Sequence, residues 1–307
     1  MTYVAIGSGI TSIDQYAFDA PNLINVSISD IAAWCKIEFK DETCNPLHYA
    51  HHLYSDGEEI KDLVIPNDVT SISNYAFCGC NNLNSVTMSN SITAIGKGAF
   101  SGCTNLTKCE IPDIAVWCKT NIHAESANPL YYAHHLYSEG KEIEDLIIPD
   151  DVTTISAYTF PGCSNISSLT IPNSVTTIET SAFSGCSNLN LINIGNSLTS
   201  IGRGAFNGCK NLSKVNISDI ASWCKINFEE YTCNPLYYAH KLFLEGEEIS
   251  DMVIPNSVKT ISNYAFGACT SLKSVTFPSS LASIGRYAFH ECNNIAKCEI
   301  NDSSFAC

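Results

Sequence analysis

Apolar side chains recur along the chain in a short alternating pattern that predicts β-strands. In Ile192-Asn193-Ile194 the two isoleucines point to one face and Asn193 points to the other, as expected when one face of a strand is buried. The pattern ends at twelve positions, and successive ends are separated by 22 or 23 residues eight times and by 37 residues three times. This spacing predicts a stack of repeated coils, each with one short parallel strand. The twelve end positions are Ile6, Ile28, Ile65, Met88, Ile111, Ile148, Ile171, Ile194, Ile217, Ile254, Phe277 and Ile300.

Each short coil carries two further segments. Ser174–Ile178 is rich in β-branched residues and predicts a second extended piece. In Ala182–Leu189, apolar residues at intervals of three, among them Phe183 and Cys186, predict a turn whose apolar side faces inward. A single coil cannot bury these residues, but stacked coils can, because each side chain then lies over its copy in the next coil. We therefore expect Phe and Cys to form buried rows through the stack.

Each of the three 37-residue steps replaces the Ala-Phe turn with a longer segment, which we call a cassette. In the first cassette Asp30 precedes Trp34, and Asn45-Pro46 and the turn at Asp56 follow; the other two repeat this order. Asp favours a helix N-cap, and Asn followed by Pro favours a helix start. We predict two short helices and a turn in each cassette, on the convex side of the stack. The predicted boundaries are 29–65, 112–148 and 218–254 for the cassettes and 7–28, 66–111, 149–217 and 255–300 for the short coils, all within a single domain at 1–307.

The consensus of the short coil is clearest at 171–189, where it reads Ile-Pro-x-Ser-Val-Thr-x-Ile-x-x-x-Ala-Phe-x-x-Cys-x-x-Leu. This unit resembles the BspA-like leucine-rich repeat, which also occurs in treponemal surface proteins, and the resemblance covers nearly the whole chain. It implies an α/β repeat solenoid, a curved right-handed coil with a concave parallel sheet of about 12 short strands. It also implies a protein-binding or adhesion role at the cell surface or in secreted form, and no catalytic residue.

The charge of the chain narrows the range of partners. It has 31 Asp and Glu against 16 Lys and Arg, a formal net charge of −15, which opposes binding to the phosphates of nucleic acid. The segments 29–64, 112–147 and 218–253 hold almost all of this excess, with 21 acidic and 7 basic residues. No apolar stretch is long enough to span a membrane, and no signal-peptide pattern follows Met1. We therefore expect no membrane insertion, and an intracellular location stays open.

The sixteen cysteines follow the repeat. Seven occupy the position of Cys186, three follow the cassette tryptophans, and Cys109 and Cys298 replace Val or Leu in the strands. Such positions favour small buried thiols. Cys163, Cys186 and Cys209 form a run of three that cannot all pair, so we expect reduced thiols rather than structural disulfides. No Cys-x-x-Cys pair supports a zinc site.

The cassettes also contain residue types that metal sites use. His48 and His52 are four residues apart on a predicted helix, but the other cassettes lack this pair. His51 recurs as His134 and His240, for which we expect a structural hydrogen bond between coils. The acidic turns match no calcium-binding loop, and no catalytic or nucleotide-binding motif is present. We predict no cofactor, no metal and no catalytic site.

The open face of the predicted sheet is the main candidate site, because the concave face of a solenoid presents many ordered side chains to one partner. This face combines lysines, carboxylates and amides and is expected to lack aromatic anchors, which favours a weak or multivalent contact. We expect a protein-interaction or adhesion module. The alternatives are a carbohydrate- or calcium-binding surface protein that uses the acidic cassettes, and a structural spacer of a larger surface protein. End-to-end self-association is a further expectation. The candidate partner-binding residues are Lys108, Glu110, Asn193, Lys214, Asn216, Lys273 and Thr276.

Overall fold

A computed structural model describes residues 1–301, which divide into two compact units. The first unit comprises Met1–Ile143 and Ser156–Asn165, and the second comprises Glu144–Ile155 and the chain from Ile166 onward. Both units consist of short strands joined by turns and by helices of four to six residues. Among the described residues no helix has the length and apolar character needed to cross a membrane.

The first unit contains two rows of short strands. In chain order they are β1 (Tyr3–Ile6), β2 (Ser12–Ile13), β3 (Asn25–Ile28), β4 (Glu38–Phe39), β5 (His52–Ser55), β6 (Glu58–Glu59), β7 (Asp62–Val64), β8 (Ser71–Ile72), β9 (Ser85–Thr87), β10 (Ala94–Ile95), β11 (Lys108–Glu110), β12 (Asn121–Ile122), β13 (Leu136–Ser138) and β14 (Lys141–Glu142). In the main row, β1, β3 and β5 form one parallel ladder, and β7, β9, β11 and β13 form another. Each ladder ends in an antiparallel partner, β6 beside β5 and β14 beside β13. The second row pairs β2 with β4, and β10 with β8 and β12.

The second unit repeats this arrangement. Its strands are β15 (Asp145–Ile147), β16 (Thr154–Ile155), β17 (Ser168–Ile171), β18 (Thr177–Ile178), β19 (Leu191–Ile194), β20 (Ser200–Ile201), β21 (Lys214–Ile217), β22 (Asn227–Phe228), β23 (Leu242–Leu244), β24 (Glu247–Glu248), β25 (Asp251–Val253), β26 (Thr260–Ile261), β27 (Ser274–Pro278), β28 (Ser283–Ile284) and β29 (Lys297–Asn301). The main row is a parallel ladder of β15, β17, β19, β21 and β23 with β24 antiparallel at its end, followed by β25, β27 and β29. The second row consists of β16, β18, β20 and β22, and of β26 with β28.

The cassettes contribute strands that the repeat spacing did not predict. Every predicted end position lies in a strand or directly after one, but β5, β13 and β23 are additional. They pair in parallel with the strand before the cassette, so that Ile28 lies beside Ser55 and Ile217 beside Leu244. A cassette is therefore long enough to complete a coil of its own and then turn back as a hairpin. The expectation of a single sheet is wrong, because hydrogen bonding divides the main row into two ladders in each unit. The cassette strands also add to the expected number of about 12 strands.

The predicted cassette helices form, but most are a single turn. The Asp30 carboxylate accepts a backbone N–H of the first turn of its helix, and Asp113 and Asp219 do the same in the other cassettes. Asn45 Oδ1 accepts the N–H of Leu47 at 2.9 Å, so the predicted Asn-Pro helix start is also confirmed. The helices are α1 (Ile31–Trp34), α2 (Leu47–Ala50), α3 (Ile114–Lys119), α4 (Leu130–Ala133), α5 (Ile220–Trp223) and α6 (Leu236–Ala239), with 3-10 turns at Glu42–Cys44, Glu125–Ala127 and Tyr231–Cys233.

Repeated side chains form the core, as predicted. Phe77 and Phe100 stack with ring centroids 5.2 Å apart in the first unit, and Phe183 and Phe206 stack at 5.5 Å in the second. The buried Cys103 donates its thiol to the carbonyl of Phe77 at 3.3 Å. The rows of Phe and Cys are therefore confirmed, and each coil buries its apolar residues against the next one.

The cysteines occupy the structural positions expected of them. All of those in the described part of the chain are free thiols, and all but Cys292 and Cys298 are buried. Burial raises the pKa of the Cys35 and Cys224 thiols from 9.0 to about 12, because a thiolate would lose its hydration there. At neutral pH these side chains are apolar packing groups rather than nucleophiles.

Each cassette is anchored to the coil that follows it. The indole N–H of Trp34 donates to the carbonyl of Ala76 at 2.8 Å, and that of Trp223 donates to Ala265 at 2.7 Å. The side-chain amide of Asn45 donates to the same Ala76 carbonyl at 2.9 Å. These buried side chains donate hydrogen bonds to backbone carbonyl groups of the short coil. They do so at the junction where a cassette, rather than another short coil, lies beside it.

Candidate functional site

Five of the candidate residues lie in three strands of the main row. Lys108 and Glu110 belong to β11, Asn193 to β19, and Lys214 and Asn216 to β21. The residues next to them in these strands, among them Cys109, Ile192 and Val215, are buried, so the named side chains lie on the opposite face of the ladder to which each belongs. We call this face, in each unit, the open face. The structure thus confirms the orientation on which the sequence argument depended.

In the first unit the open face brings an aromatic ring beside a lysine and a carboxylate. Tyr137 of β13 lies directly beside Glu110 in the parallel register. Lys108 Nζ is 4.5 Å from the centre of the Tyr137 ring and 3.2 Å from Glu110 Oε2. The other carboxylate oxygen of Glu110 accepts the N–H of Gly140 at 2.8 Å, in the hairpin turn between β13 and β14. One carboxylate therefore orients the lysine and the turn together.

The third cassette builds the same arrangement in the second unit with different residues. Phe243 of β23 lies beside Asn216, and Lys214 Nζ is 5.7 Å from the centre of the Phe243 ring. Asn216 Oδ1 accepts the N–H of Gly246 at 2.8 Å. Asn216 therefore has the role of Glu110, but without its charge. Lys214 consequently has no carboxylate beside it in this position.

An amide ladder continues from this cluster across the open face of the second unit. Asn216 Nδ2 donates to Asn193 Oδ1 at 3.0 Å, and Asn193 Nδ2 donates to the Thr170 hydroxyl at 3.3 Å. The ladder lines a shallow cavity of about 260 Å³, which Glu245 of the hairpin also borders. Because each amide is fixed by its neighbour, the polar atoms of this surface are ordered before any partner binds.

The expectation that the open face lacks aromatic anchors is wrong. Tyr54, Tyr137 and Phe243 occupy equivalent positions on the cassette strands β5, β13 and β23, and each lies beside an open-face residue of the preceding strand. They were missed because the cassettes were expected to hold helices and a turn only. The sequence does contain a signal, since Leu136-Tyr137-Ser138 alternates and is followed by an X-Gly turn, which is typical of a hairpin.

Lys273 and Thr276 belong to a different ladder from β21. Thr276 of β27 lies between Val253 and Glu299 in register, and Lys273 immediately precedes this strand. Glu299 forms an ion pair with Lys297 at 2.7 Å. The structure therefore does not bring these two candidates into the cluster around β21 by strand pairing.

The histidines have structural surroundings. α2 ends at Ala50, so His48 lies on a helix and His52 on β5, and the expected helical pair does not exist. His51 has a positive φ at the end of α2, and its Nδ1 is 2.8 Å from the carbonyl of Gly79 in the next coil. His134 and His240 make the equivalent contacts at 3.0 and 3.2 Å, which confirms the predicted hydrogen bond between coils.

In each cassette hairpin one glutamate forms a contact with a basic side chain of the same hairpin. Glu59 lies 2.6 Å from His52, and this hydrogen bond lowers the pKa of the Glu59 carboxyl. The corresponding pairs are His135 with Glu142 at 2.5 Å and Lys241 with Glu248 at 3.2 Å. Within residues 1–301 no group of three or more His, Cys, Asp or Glu side chains is arranged to hold a metal ion.

Comparison with protein families identifies the repeat. The family model described as "BspA type Leucine rich repeat region" matches residues 50–128, 133–236 and 237–306, with six copies. A leucine-rich repeat protein of Bacteroides ovatus is similar over 96% of this chain and 71% of its own, with 24% identity and a TM-score of 0.48. A leucine-rich cell surface protein of Faecalibacterium prausnitzii is similar over 97% and 69%, with 22% identity and a TM-score of 0.41. A search of curated proteins finds no match.

Proposed function

Because the chain belongs to the BspA-type leucine-rich repeat family, we propose that it is a non-catalytic interaction module that binds a protein partner through the open face. The observation that supports this most directly is the recurring aromatic residue of the cassette strands. In two copies it is combined with a lysine, Lys108 with Tyr137 and Lys214 with Phe243. The same cluster is thus presented more than once, which suits a multivalent contact.

The chemistry of these clusters supports a protein rather than a small molecule as the partner. Binding energy in protein interfaces concentrates in aromatic side chains with polar groups around them. Each cluster provides a ring and a cation at a fixed separation, and the hairpin hydrogen bonds to Glu110 and Asn216 restrict their motion. A preordered surface loses less side-chain entropy when a partner binds.

The alternative function, binding of calcium or carbohydrate by the acidic cassettes, has less support. The carboxylates of Glu59, Glu142 and Glu248 are each engaged by a basic group of their own hairpin. We therefore assign the partner to the open face and propose the cell surface as its location, in keeping with the family. A role as a spacer and end-to-end self-association stay predictions.

An array of purified extracellular proteins tests the proposal, with affinities of the bound proteins measured by biolayer interferometry. We expect Tyr137→Ser and Phe243→Ser each to weaken binding about tenfold, because each removes an aromatic anchor. Tyr137→Phe should bind normally, since it retains the ring. The matched control is Tyr16→Ser, which removes an 80% exposed tyrosine outside the strands and should change nothing.

The same measurement distinguishes the alternatives. Unchanged affinity in the Tyr137→Ser, Phe243→Ser double variant would contradict a role for the open face. Binding that depends on calcium, or that is directed only at glycans, would instead support the acidic cassettes. Absence of any binding by the wild-type protein would favour the spacer.

A further inference from the structure

The surroundings of the third cassette differ from those of the first at several equivalent positions. Tyr231 stands where the first cassette has Glu42. Four more differences lie in the second short coil that follows. There, Arg286, Tyr287, His290 and Glu291 replace Lys97, Gly98, Ser101 and Gly102. Other coils have Tyr at the position of Tyr287 and one has Arg203 at that of Arg286, so the changes particular to this region are Tyr231, His290 and Glu291.

Several of these residues form one continuous cluster with Tyr237 and Tyr264 on the second unit. The ring of Tyr231 lies 5.2 Å from Tyr237, 6.0 Å from Tyr264 and 5.4 Å from His290. Tyr264 stacks on Tyr287, with centroids 5.9 Å apart and the planes inclined by 24°. We call the following residues the tyrosine cluster: Tyr231, Tyr237, Tyr264, Tyr287, His290 and Arg286. Several of them are half-buried or exposed, and the Tyr287 residue is 46% exposed.

The backbone at two of these positions is unfavourable for a side chain. Tyr287 has a φ of 56° and Glu291 a φ of 60°, whereas their counterparts in the earlier coil are Gly98 and Gly102. Non-glycine residues in this region cost about 1 kcal/mol or more. Glu291 nevertheless contributes to the cluster by accepting the Tyr231 hydroxyl at 2.8 Å. A positive φ at a tyrosine in the position of Tyr287 is common to the repeat, since Tyr16, Tyr75, Tyr158 and Tyr264 share it, whereas Glu291 stands where most coils have glycine.

Arg286 is the exposed cation of the tyrosine cluster. Its guanidinium lies 4.7 Å from the centre of the Tyr287 ring, and Nη2 donates to the Tyr287 hydroxyl at 3.3 Å. It has no ion-pair partner among the residues that the structure describes. By contrast, Arg203 lies 3.5 Å from Glu230, and His290 lies 3.7 Å from Glu291. A guanidinium that has no carboxylate partner and lies beside a phenol ring is a binding position for a carboxylate.

We propose that the tyrosine cluster is a second protein-binding surface, which takes a peptide segment carrying an Asp or Glu side chain. The carboxylate binds Arg286, and the neighbouring part of the peptide packs against the edges of the Tyr264 and Tyr287 rings. Tyrosine and arginine are the residues in which interface energy concentrates. The faces of the stacked rings are engaged within the cluster, which favours a peptide over a sugar that needs an open ring face. This surface is independent of the open face.

A phage-displayed library of random dodecapeptides tests the proposal. The library is selected on the wild-type protein after depletion on the Arg286→Ala variant, and the strongest peptide is synthesised for fluorescence anisotropy. We expect the selected peptides to share an acidic residue. Affinity should fall about tenfold for Arg286→Ala and for Tyr287→Gly, and to a similar extent when the acidic residue of the peptide is replaced by its amide.

The controls separate binding from folding. Tyr287→Gly introduces the residue of the earlier coil, and glycine adopts this positive φ without strain. A loss of binding in this variant with an unchanged circular dichroism spectrum is therefore not due to unfolding. Lys97→Ala alters the equivalent position in the first unit and should leave the affinity unchanged. Three results would overturn the proposal: no peptide enriched, peptides that bind Arg286→Ala as tightly as wild type, or Arg286-dependent binding to a glycan array without binding to peptides.

Discussion

Ala268 illustrates how one residue can depart from the backbone requirement of the repeat. The residue two positions after the buried phenylalanine has a positive φ in many coils, and glycine occupies it at 79, 102, 162, 185 and 208. Ala268 adopts a φ of 62° at the equivalent position, where its Cβ is unfavourable. We expect Ala268→Gly to raise the free energy of unfolding by about 0.5–1 kcal/mol, measured by urea denaturation.

The control for this prediction is an alanine with an ordinary backbone. Ala282 is exposed and has no positive φ, so Ala282→Gly should lower the free energy of unfolding, because glycine loses more conformational freedom on folding. If Ala268→Gly were destabilising to the same extent as Ala282→Gly, backbone strain at Ala268 would not be significant.

At the scale of elements, the cassette hairpins depend on side chains of the preceding strand. Glu110 accepts the N–H of Gly140 at 2.8 Å, and the residue is intermediate in exposure. We expect Glu110→Ala to accelerate hydrogen exchange of the Gly140 amide about fivefold, which corresponds to roughly 1 kcal/mol. Glu110→Gln retains an acceptor and should preserve protection. The Gly57 amide of the first cassette is an internal reference, and its acceleration by the same variant would contradict a local effect.

The hairpins also mark the limit of what the sequence could predict. Strand ends, buried Phe and Cys rows, Asp caps and the His51 contact follow from periodicity, because a stacked repeat places copies over one another. The cassette strands do not repeat with the same period, and His48 and His52 have helical spacing. A one-turn helix followed by a strand has too few residues for either period to be decisive. Tyr54, Tyr137 and Phe243 were therefore missed as open-face residues.

At the scale of the whole molecule, the buried thiols make stability depend on alkaline pH. Burial raises the pKa of Cys35 and Cys224 from 9.0 to about 12. A raised pKa in the folded state means that the contribution of each thiol is fully present below pH 9 and is lost as the pH rises towards 12. We expect the free energy of unfolding to fall above pH 9, by up to about 1.4 kcal/mol per pH unit for each thiol.

Replacement of one cysteine separates this effect from the titration of lysines and tyrosines. Cys109 is fully buried, burial raises the pKa of its thiol, and it occupies the position that Val86 and Val215 fill in other coils. Cys109→Val therefore keeps the packing and should remove one titrating group from the alkaline slope. Cys298→Ser, which removes an exposed thiol, is the matched control. Identical slopes for wild type and Cys109→Val, measured by urea denaturation between pH 8 and 11, would show that the buried thiols do not control alkaline unfolding.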